Sequence, residues 1–171
     1  ASGDLDGGAT VRAGGSGNLT IDGQGGILAE GDSNSGVVVD GRASASVDSG
    51  NLQITGAGVG SADSGINHGV LISTGGKIET DQTGSISVHG TGGTTTGDSN
   101  IGVYVAHAGS RIASEDGTVT VFGQGGGSGI SSQNRGVEMH NGATISAGGD
   151  GTVSVAGVGG TSTGNGNYGI L

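Results

Sequence analysis

Short runs of alternating apolar and polar residues recur along the chain at intervals of 33 or 34 residues. The clearest run follows a glycine and places aliphatic residues at alternate positions, as in Gly69-Val70-Leu71-Ile72. Its copies begin at Gly36, Gly69, Gly102, Gly136 and Gly169. An apolar period of two residues is typical of a strand that buries one face. The pattern therefore predicts one short β-strand of this kind in every repeat.

Two further runs share this spacing. Alternating triplets such as Leu52-Gln53-Ile54 and Val119-Thr120-Val121 occur in every repeat, each followed two residues later by a glycine. A weaker apolar position recurs as Val11, Ala45, Ile78, Ile112 and Ile145. A helical fold is a poor alternative, because no apolar period of 3.6 residues occurs and glycines interrupt every long window. Three short strands per repeat predict a chain that coils once per repeat and stacks each strand on its equivalent.

The predicted fold class is all-β, a right-handed parallel β-helix (β-solenoid) with three short strands per 33 or 34-residue turn and about five turns. At a strand spacing of about 4.8 Å, five turns make a rod roughly 24 Å long. Alternation along the first strand predicts Val37, Val39 and their equivalents, as far as Met139 and Ile170, to point inward. The residues between them should point outward: Val38, Leu71, Tyr104, Glu138 and Leu171.

An asparagine lies two residues before the glycine that opens each first strand. These residues are Asn34, Asn67, Asn100, Asn134 and Asn167. Asparagine tolerates the left-handed conformation of a sharp corner, and its amide can bond to corner backbone or to the asparagine of the next turn. We therefore expect a structural asparagine ladder at one corner. Recurrent glycines equivalent to Gly17 and Gly25 indicate positions of positive φ or close backbone approach.

The repeat pattern shows no internal domain boundary. It begins at Gly3, in phase with Gly36, and continues to Leu171, so residues 1–171 are expected to form one continuous array that is uncapped at both ends. Such an array is either a slice of a longer rod or a subunit that stacks end to end. The first turn departs from the pattern, with Asp4 and Asp6 where inward aliphatic residues are expected.

Composition excludes several classes of function. Glycine supplies 44 of the 171 residues, far above the usual share of roughly 7%, which rules out an ordinary globular enzyme domain. Fifteen acidic against five basic residues give a net charge of −10, which repels nucleic acid and anionic membranes. No apolar run approaches the length of a membrane span. We therefore expect no nucleic-acid partner and no membrane insertion of this segment.

Several phrases resemble a known family. Asn100-Ile101-Gly102-Val103-Tyr104-Val105, Gly117-Thr118-Val119-Thr120-Val121 and Gly90-Thr91-Gly92-Gly93-Thr94 are similar to the repeats of large bacterial surface adhesins and autotransporter passenger regions, the filamentous-haemagglutinin-like β-helices. The resemblance covers essentially the whole chain. It implies an extended stalk, and a secreted location at the cell surface or in an extracellular fibre.

Candidate chemistry is sparse. Asp32 and Asp98 share a repeat position but lie two turns apart, roughly 9.6 Å, without a general acid of matched geometry. His107 and His140 are expected near each other on adjacent turns, but zinc needs three or four ligands. We predict solvated acids and no catalytic residue, metal or cofactor. A Thr-x-Thr face, present at Thr118 and Thr120, resembles the ice-binding face of some β-solenoid proteins.

The sequence thus predicts a non-catalytic structural segment of a bacterial surface adhesin or extracellular filament. An ice- or carbohydrate-binding β-solenoid module is the alternative, and a polysaccharide lyase-like enzyme a third. The expected partners are other copies, stacked axially and packed laterally, and a host-cell, surface or glycan receptor. Val38, Leu71, Tyr104, Glu138 and Leu171 are the candidate lateral contact, since four of the five are apolar.

Overall fold

A computed structural model describes residues 8–26 and 31–171, and this part of the chain is a β-solenoid without helix. Its strands follow one another in three repeating positions, and every pairing between strands is parallel and joins equivalent positions of successive turns. The predicted all-β solenoid with three strands per turn is confirmed. The expectations for Gly3, Asp4 and Asp6 lie outside the described residues.

The strands form three sheets along the rod. Sheet A comprises β1 Thr10–Ala13, β4 Ser44–Val47, β7 Lys77–Thr80, β10 Arg111–Ser114 and β13 Thr144–Ala147. Sheet B comprises β2 Leu19–Gln24, β5 Leu52–Ala57, β8 Ile86–Thr91, β11 Val119–Gln124 and β14 Val153–Val158. Sheet C comprises β3 Val37–Val39, β6 Val70–Ile72, β9 Val103–Ala106 and β12 Val137–His140, extended by a parallel bridge from Val137 to Ile170. These strands correspond to between four and five turns.

The core is a narrow stack of aliphatic side chains from all three sheets. Equivalent residues lie directly over one another, as Ile54 pairs with Val88 and Val88 with Val121, and all three are at most 1% exposed. Burying each such side chain contributes about 1.5–3 kcal/mol. The last described turn differs: Met139 and Ile170 occupy predicted inward positions but are 42% and 52% exposed, because no described residue stacks over them.

Sheets B and C converge until their backbones touch. A Cβ atom on Gly56 would lie closer than 3.0 Å to the carbonyl oxygen of Gly69, a separation that real Cβ atoms essentially never show. The same contact recurs in every turn, where Gly23, Gly90, Gly123 and Gly157 face Gly36, Gly102, Gly136 and Gly169. This edge of the core therefore has room for backbone only, which explains why a glycine follows each sheet B triplet.

The other recurrent glycines also mark close approach. A Cβ on Gly50, Gly84 or Gly117 would overlap the carbonyl oxygen of the equivalent glycine one turn earlier. Gly58 and its equivalents lie against the carbonyl oxygens of the asparagines. None of these glycines has a positive φ. The sequence pattern predicted either positive φ or close backbone approach at these glycines, and the structure shows close backbone approach.

Gly56→Ala is expected to lower the free energy of unfolding by about 3 kcal/mol, because the added methyl group forces sheets B and C apart. Gly14→Ala is the matched control, since a Cβ there meets only Asp48 Oδ2, at 3.7 Å. The control should leave stability unchanged or slightly raised. Denaturant unfolding followed by circular dichroism measures both variants, and equal losses would contradict the close-approach explanation.

Candidate functional site

The asparagine ladder runs along the corner where the chain enters sheet C. The backbone N–H of Asn67 donates to Asn100 Oδ1 at 3.3 Å, and its Nδ2 donates to the same oxygen at 3.0 Å. The other three steps repeat this pair of bonds, from Asn34 to Asn67, Asn100 to Asn134 and Asn134 to Asn167. Asn67, Asn100 and Asn134 are 0% exposed. These buried amides therefore join successive turns.

Each asparagine also holds its own loop. Asn67 Nδ2 donates to the carbonyl oxygen of Ser64 at 3.0 Å, and Asn100 Nδ2 donates to that of Gly97 at 2.7 Å. The sequence pattern predicted the left-handed conformation at the asparagine itself, and that prediction was wrong. Positive φ falls on the preceding residue, at Ser33, Ile66, Ser99, Gln133 and Gly166. This leaves the asparagine side chain free to bond along the rod.

Two aspartates at the neighbouring loop positions have a similar bridging role. Asp32 Oδ1 accepts the backbone N–H of Gly65 at 2.6 Å, and Asp98 Oδ1 accepts that of Ser132 at 2.7 Å. Each carboxylate therefore joins its own turn to the next one. This engagement with backbone gives the two residues a structural use.

The outer face of sheet C carries a group of polar and aromatic side chains in mutual contact. The His68 and Tyr104 rings stack with centroids 5.0 Å apart and planes inclined by 13°. The Tyr104 hydroxyl is 2.5 Å from His140 Nε2. Arg135 Nη1 donates to Glu138 Oε2 at 2.6 Å. These five residues, the Tyr104 cluster, draw on three successive turns.

The Tyr104 cluster changes the picture of the candidate lateral contact. Glu138 lies on the outer face, but it is only 7% exposed because Arg135 and neighbouring side chains cover it. Leu71 and Tyr104 are half-buried and line a groove of about 340 Å³ with Glu138 and Arg135, whereas Val38 and Leu171 are each 54% exposed. The face is therefore a groove rather than a uniform apolar stripe.

Burial controls the charge states in this cluster. It lowers the pKa of His68 to about 4, so this imidazole is neutral at pH 7 and its Nδ1 accepts the Ile101 backbone N–H at 3.4 Å. Burial, together with the negative charge of Glu138, raises the pKa of the Tyr104 hydroxyl. Both rings therefore remain uncharged under neutral conditions beside the Arg135–Glu138 ion pair.

The remaining candidates are more dispersed. His107 and His140 are neighbours as expected, with ring centroids 6.5 Å apart. In residues 8–26 and 31–171 no group of three or more His, Cys, Asp or Glu residues is placed to hold a metal ion. On the outer face of sheet B, Thr118 and Thr152 hydroxyls approach to 3.3 Å, a cross-turn contact of the kind that such a ladder provides.

The Tyr104 cluster was not predicted from the sequence, because the repeat pattern compares only residues at equal repeat positions. His68 follows its asparagine directly, whereas Tyr104 lies four positions after the asparagine of the next turn. Stacking therefore joins unequal positions on adjacent turns. A two-dimensional layout of the repeats, with neighbouring turns side by side, would have placed both rings on one face.

The chain was compared with family models, with curated proteins and with solved structures, and no comparison gave a match. In the part of the chain that the structure describes, no helix has the length and apolar character needed to cross a membrane.

Asn100→Leu is expected to lower the free energy of unfolding by about 1–3 kcal/mol, because it leaves buried amide and carbonyl groups unpaired. Asn165→Leu is the control, since Asn165 is exposed and only its backbone has a hydrogen bond in the described structure. Chemical denaturation compares the two variants. Equal stability of Asn100→Leu and the parent chain would remove the ladder as a source of stability.

His68 is expected to make stability depend on pH. Its pKa is about 4 in the folded chain against an ordinary value of 6.5, so the unfolded chain binds the proton more readily. The stabilisation is complete above pH 6.5 and is lost as the pH falls from 6.5 to about 4, by about 3 kcal/mol in total.

The test compares unfolding free energies of the parent chain and His68→Ile at each pH, since isoleucine occupies the equivalent position at Ile101. The carboxylates titrate in both proteins and cancel in the difference. His89→Thr, a change at an exposed histidine, should retain the parent profile. A difference that stays constant from pH 7 to pH 4 would contradict the burial of a neutral imidazole.

Proposed function

We propose that this chain is a non-catalytic structural segment of a bacterial surface adhesin or extracellular filament, exported to the cell surface. The observation that carries the proposal is the continuous set of hydrogen bonds along the rod axis. Every strand pairs with its equivalent on at least one adjacent turn, and the asparagine ladder adds two side-chain-mediated bonds at each step. Such a column suits a stiff spacer that holds other parts of a protein away from a cell.

The corners and long loops contribute to the same column. Gly92 N–H donates to Gln124 O at 2.9 Å, and Gly126 N–H donates to Asn100 O at 2.9 Å. In the segments between sheets B and C, Thr96 N–H donates to Ala62 O and Thr163 N–H to Gly129 O. These segments therefore stack on one another, and few backbone groups remain available to a protease.

The proposed partners are further copies, in axial and lateral contact, and a host-cell, surface or glycan receptor. Axial contact would continue between copies the same parallel pairing of equivalent strands that joins the turns of this chain.

A carbohydrate-binding module is the second candidate function. The groove of about 340 Å³ on the outer face of sheet C, here called the Tyr104 groove, favours it. The groove combines a half-buried aromatic ring with Arg135, Glu138 and Gln133, and polar groups beside an aromatic ring are the elements with which proteins bind sugars. Glycan-array binding that is lost in Tyr104→Ala would support this candidate. Thermal hysteresis would instead support an ice-binding face, and release of reducing ends from a polysaccharide would support a lyase.

A structural spacer should tolerate loss of a whole turn. Deletion of residues 68–100 removes 33 residues and joins Asn67 to Ile101, so every remaining strand still meets an equivalent strand. We expect this variant to keep its β-sheet circular dichroism and its resistance to trypsin and proteinase K. Deletion of residues 84–100 is the control, because it breaks the register and should expose the chain to digestion. Equal sensitivity of both variants would contradict the spacer.

Location is tested by immuno-electron microscopy of the source cells with antibodies raised against the folded chain. We expect labelling of the outer surface or of extracellular fibres. Labelling confined to the cell interior would overturn the proposed function.

A further inference from the structure

Sheet A has opposite charges along its two sides. On the side nearest sheet C, Arg42, Lys77 and Arg111 line a groove of about 750 Å³ together with His107. Three of the five basic residues of the chain therefore meet in one place, although the net charge is −10. Among the described residues, Asp40 is the acidic residue at this corner, and it accepts the Gly41 backbone N–H and the Ser73 hydroxyl.

The other side of sheet A is acidic. The corner between sheets A and B carries Asp48, Asp81, Glu115, Asp116 and Asp150 on successive turns. Arg12 reaches this side, where it pairs with Asp48 and lies 3.4 Å from Asp81. The carboxylates outnumber this cation, so a negative ridge runs along the rod beside the sheet.

The charges at sheet A are only partly paired within the chain. Lys77 and Arg111 are register partners on adjacent strands, about 4.8 Å apart, and like charges placed side by side are unfavourable. Arg111 pairs with Glu79, but within the described residues Lys77 has no ion pair. Glu115 and Asp116 also form no ion pair in that part of the chain. Lys77 on one side, and Glu115 and Asp116 on the other, therefore carry charge that an outside partner can compensate.

We propose that sheet A is the surface through which two copies of this chain pair side by side, with their rods parallel. A twofold axis along the rod reverses the strand direction of the facing sheet. It therefore places the basic side of each copy on the acidic side of the other, in two equivalent contacts. A twofold axis along the strands makes the rods antiparallel and places like charges together. Charge thus selects the parallel arrangement.

This inference rests on the proposed filament function, but it assigns the lateral contact to sheet A rather than to sheet C. Five strands of four residues present a face of about 24 by 13 Å, or roughly 300 Å². Stable complexes bury about 800 Å² per partner, so pairing of this chain is expected to be weak and is best detected by cross-linking at high concentration. Rods with more turns would pair more strongly.

The first test uses the single lysine of the chain, Lys77. A carbodiimide joins a lysine amine to a carboxylate in direct contact without a spacer. In a mixture of ¹⁵N-labelled and unlabelled full chains, mass spectrometry should show intermolecular links from Lys77 to Asp81, Glu115 or Asp116. Lys77→Arg keeps the charge and should abolish these links. Links to Asp32 or Asp98 instead, or the absence of intermolecular links, would overturn the proposal.

The second test exchanges the charges. Lys77→Glu/Arg111→Glu makes both sides acidic, and Asp81→Lys/Glu115→Lys makes the acidic side basic. We expect each double variant alone to pair at least about tenfold more weakly than the parent chain in analytical ultracentrifugation, a loss of about 1.4 kcal/mol. An equimolar mixture should recover pairing, because the two variants are complementary. Failure of the mixture to recover would overturn the proposal.

A third measurement separates the two faces and the two orientations. The chain has no cysteine, so Arg12→Cys and Ser146→Cys introduce unique thiols at the middle of the first and the last strand of sheet A, close to the proposed twofold axis. Parallel pairing predicts that a short thiol-specific cross-linker joins like variants, whereas preferential joining of unlike variants would show antiparallel pairing. Leu71→Lys alters sheet C and should leave pairing intact. If Leu71→Lys abolished pairing while the sheet A variants still paired, the assignment of the lateral contact to sheet A would be overturned.

A chain that stays monomeric at all concentrations would also overturn the proposed pairing. This holds as well if the groove lined by Lys77 and Arg111 binds an anionic glycan instead of a second copy. That outcome leaves the proposed function standing if the rod remains resistant to proteases and lies on the cell surface. A chain that is digested readily or is confined to the cell interior would overturn the proposed function, whatever its association state.

Discussion

In-register stacking is the constraint on which the whole molecule depends. Each residue lies over its equivalent one turn away, at the spacing of about 4.8 Å between paired strands. Each repeat position therefore holds a residue that can stack on a residue of the same or a similar type in the next turn. Aliphatic side chains do so in the core, asparagine amides do so through donor and acceptor groups on one side chain, and glycines do so where two backbones touch.

Stacking also explains where charged and reactive side chains collect on the surface. Equivalent corner positions form rows along the rod, so a charge of one sign at a corner becomes a ridge rather than an isolated site. Sheet A separates a basic row from an acidic row in this way. The Tyr104 cluster arises differently, since it joins unequal positions on neighbouring turns and breaks the repetition locally. Chemistry in such a fold therefore depends on departures from the repeat.

Most of the architecture was accessible from the sequence, because period-two alternation and fixed spacing report directly on strands and register. The left-handed residue before each asparagine was not accessible. Ile66, with φ of 57°, is a residue type that disfavours this conformation, so its identity gave no indication. The burial of Glu138 was also hidden. It depends on Arg135 three residues earlier and on ring neighbours from another turn, which a strand pattern does not describe.

The asparagine ladder gives the rod a direction. Every amide donates toward the residue of higher number, from Asn34 through Asn67 and Asn100 to Asn134 and Asn167, so the dipoles of the amide groups add along the axis instead of cancelling. One face of each turn thus offers oxygen acceptors at this corner and the opposite face offers N–H donors. Two rods can continue each other's column only head to tail, whereas an inverted copy would bring donors against donors. A fibre built from this solenoid is therefore polar, with two chemically different ends.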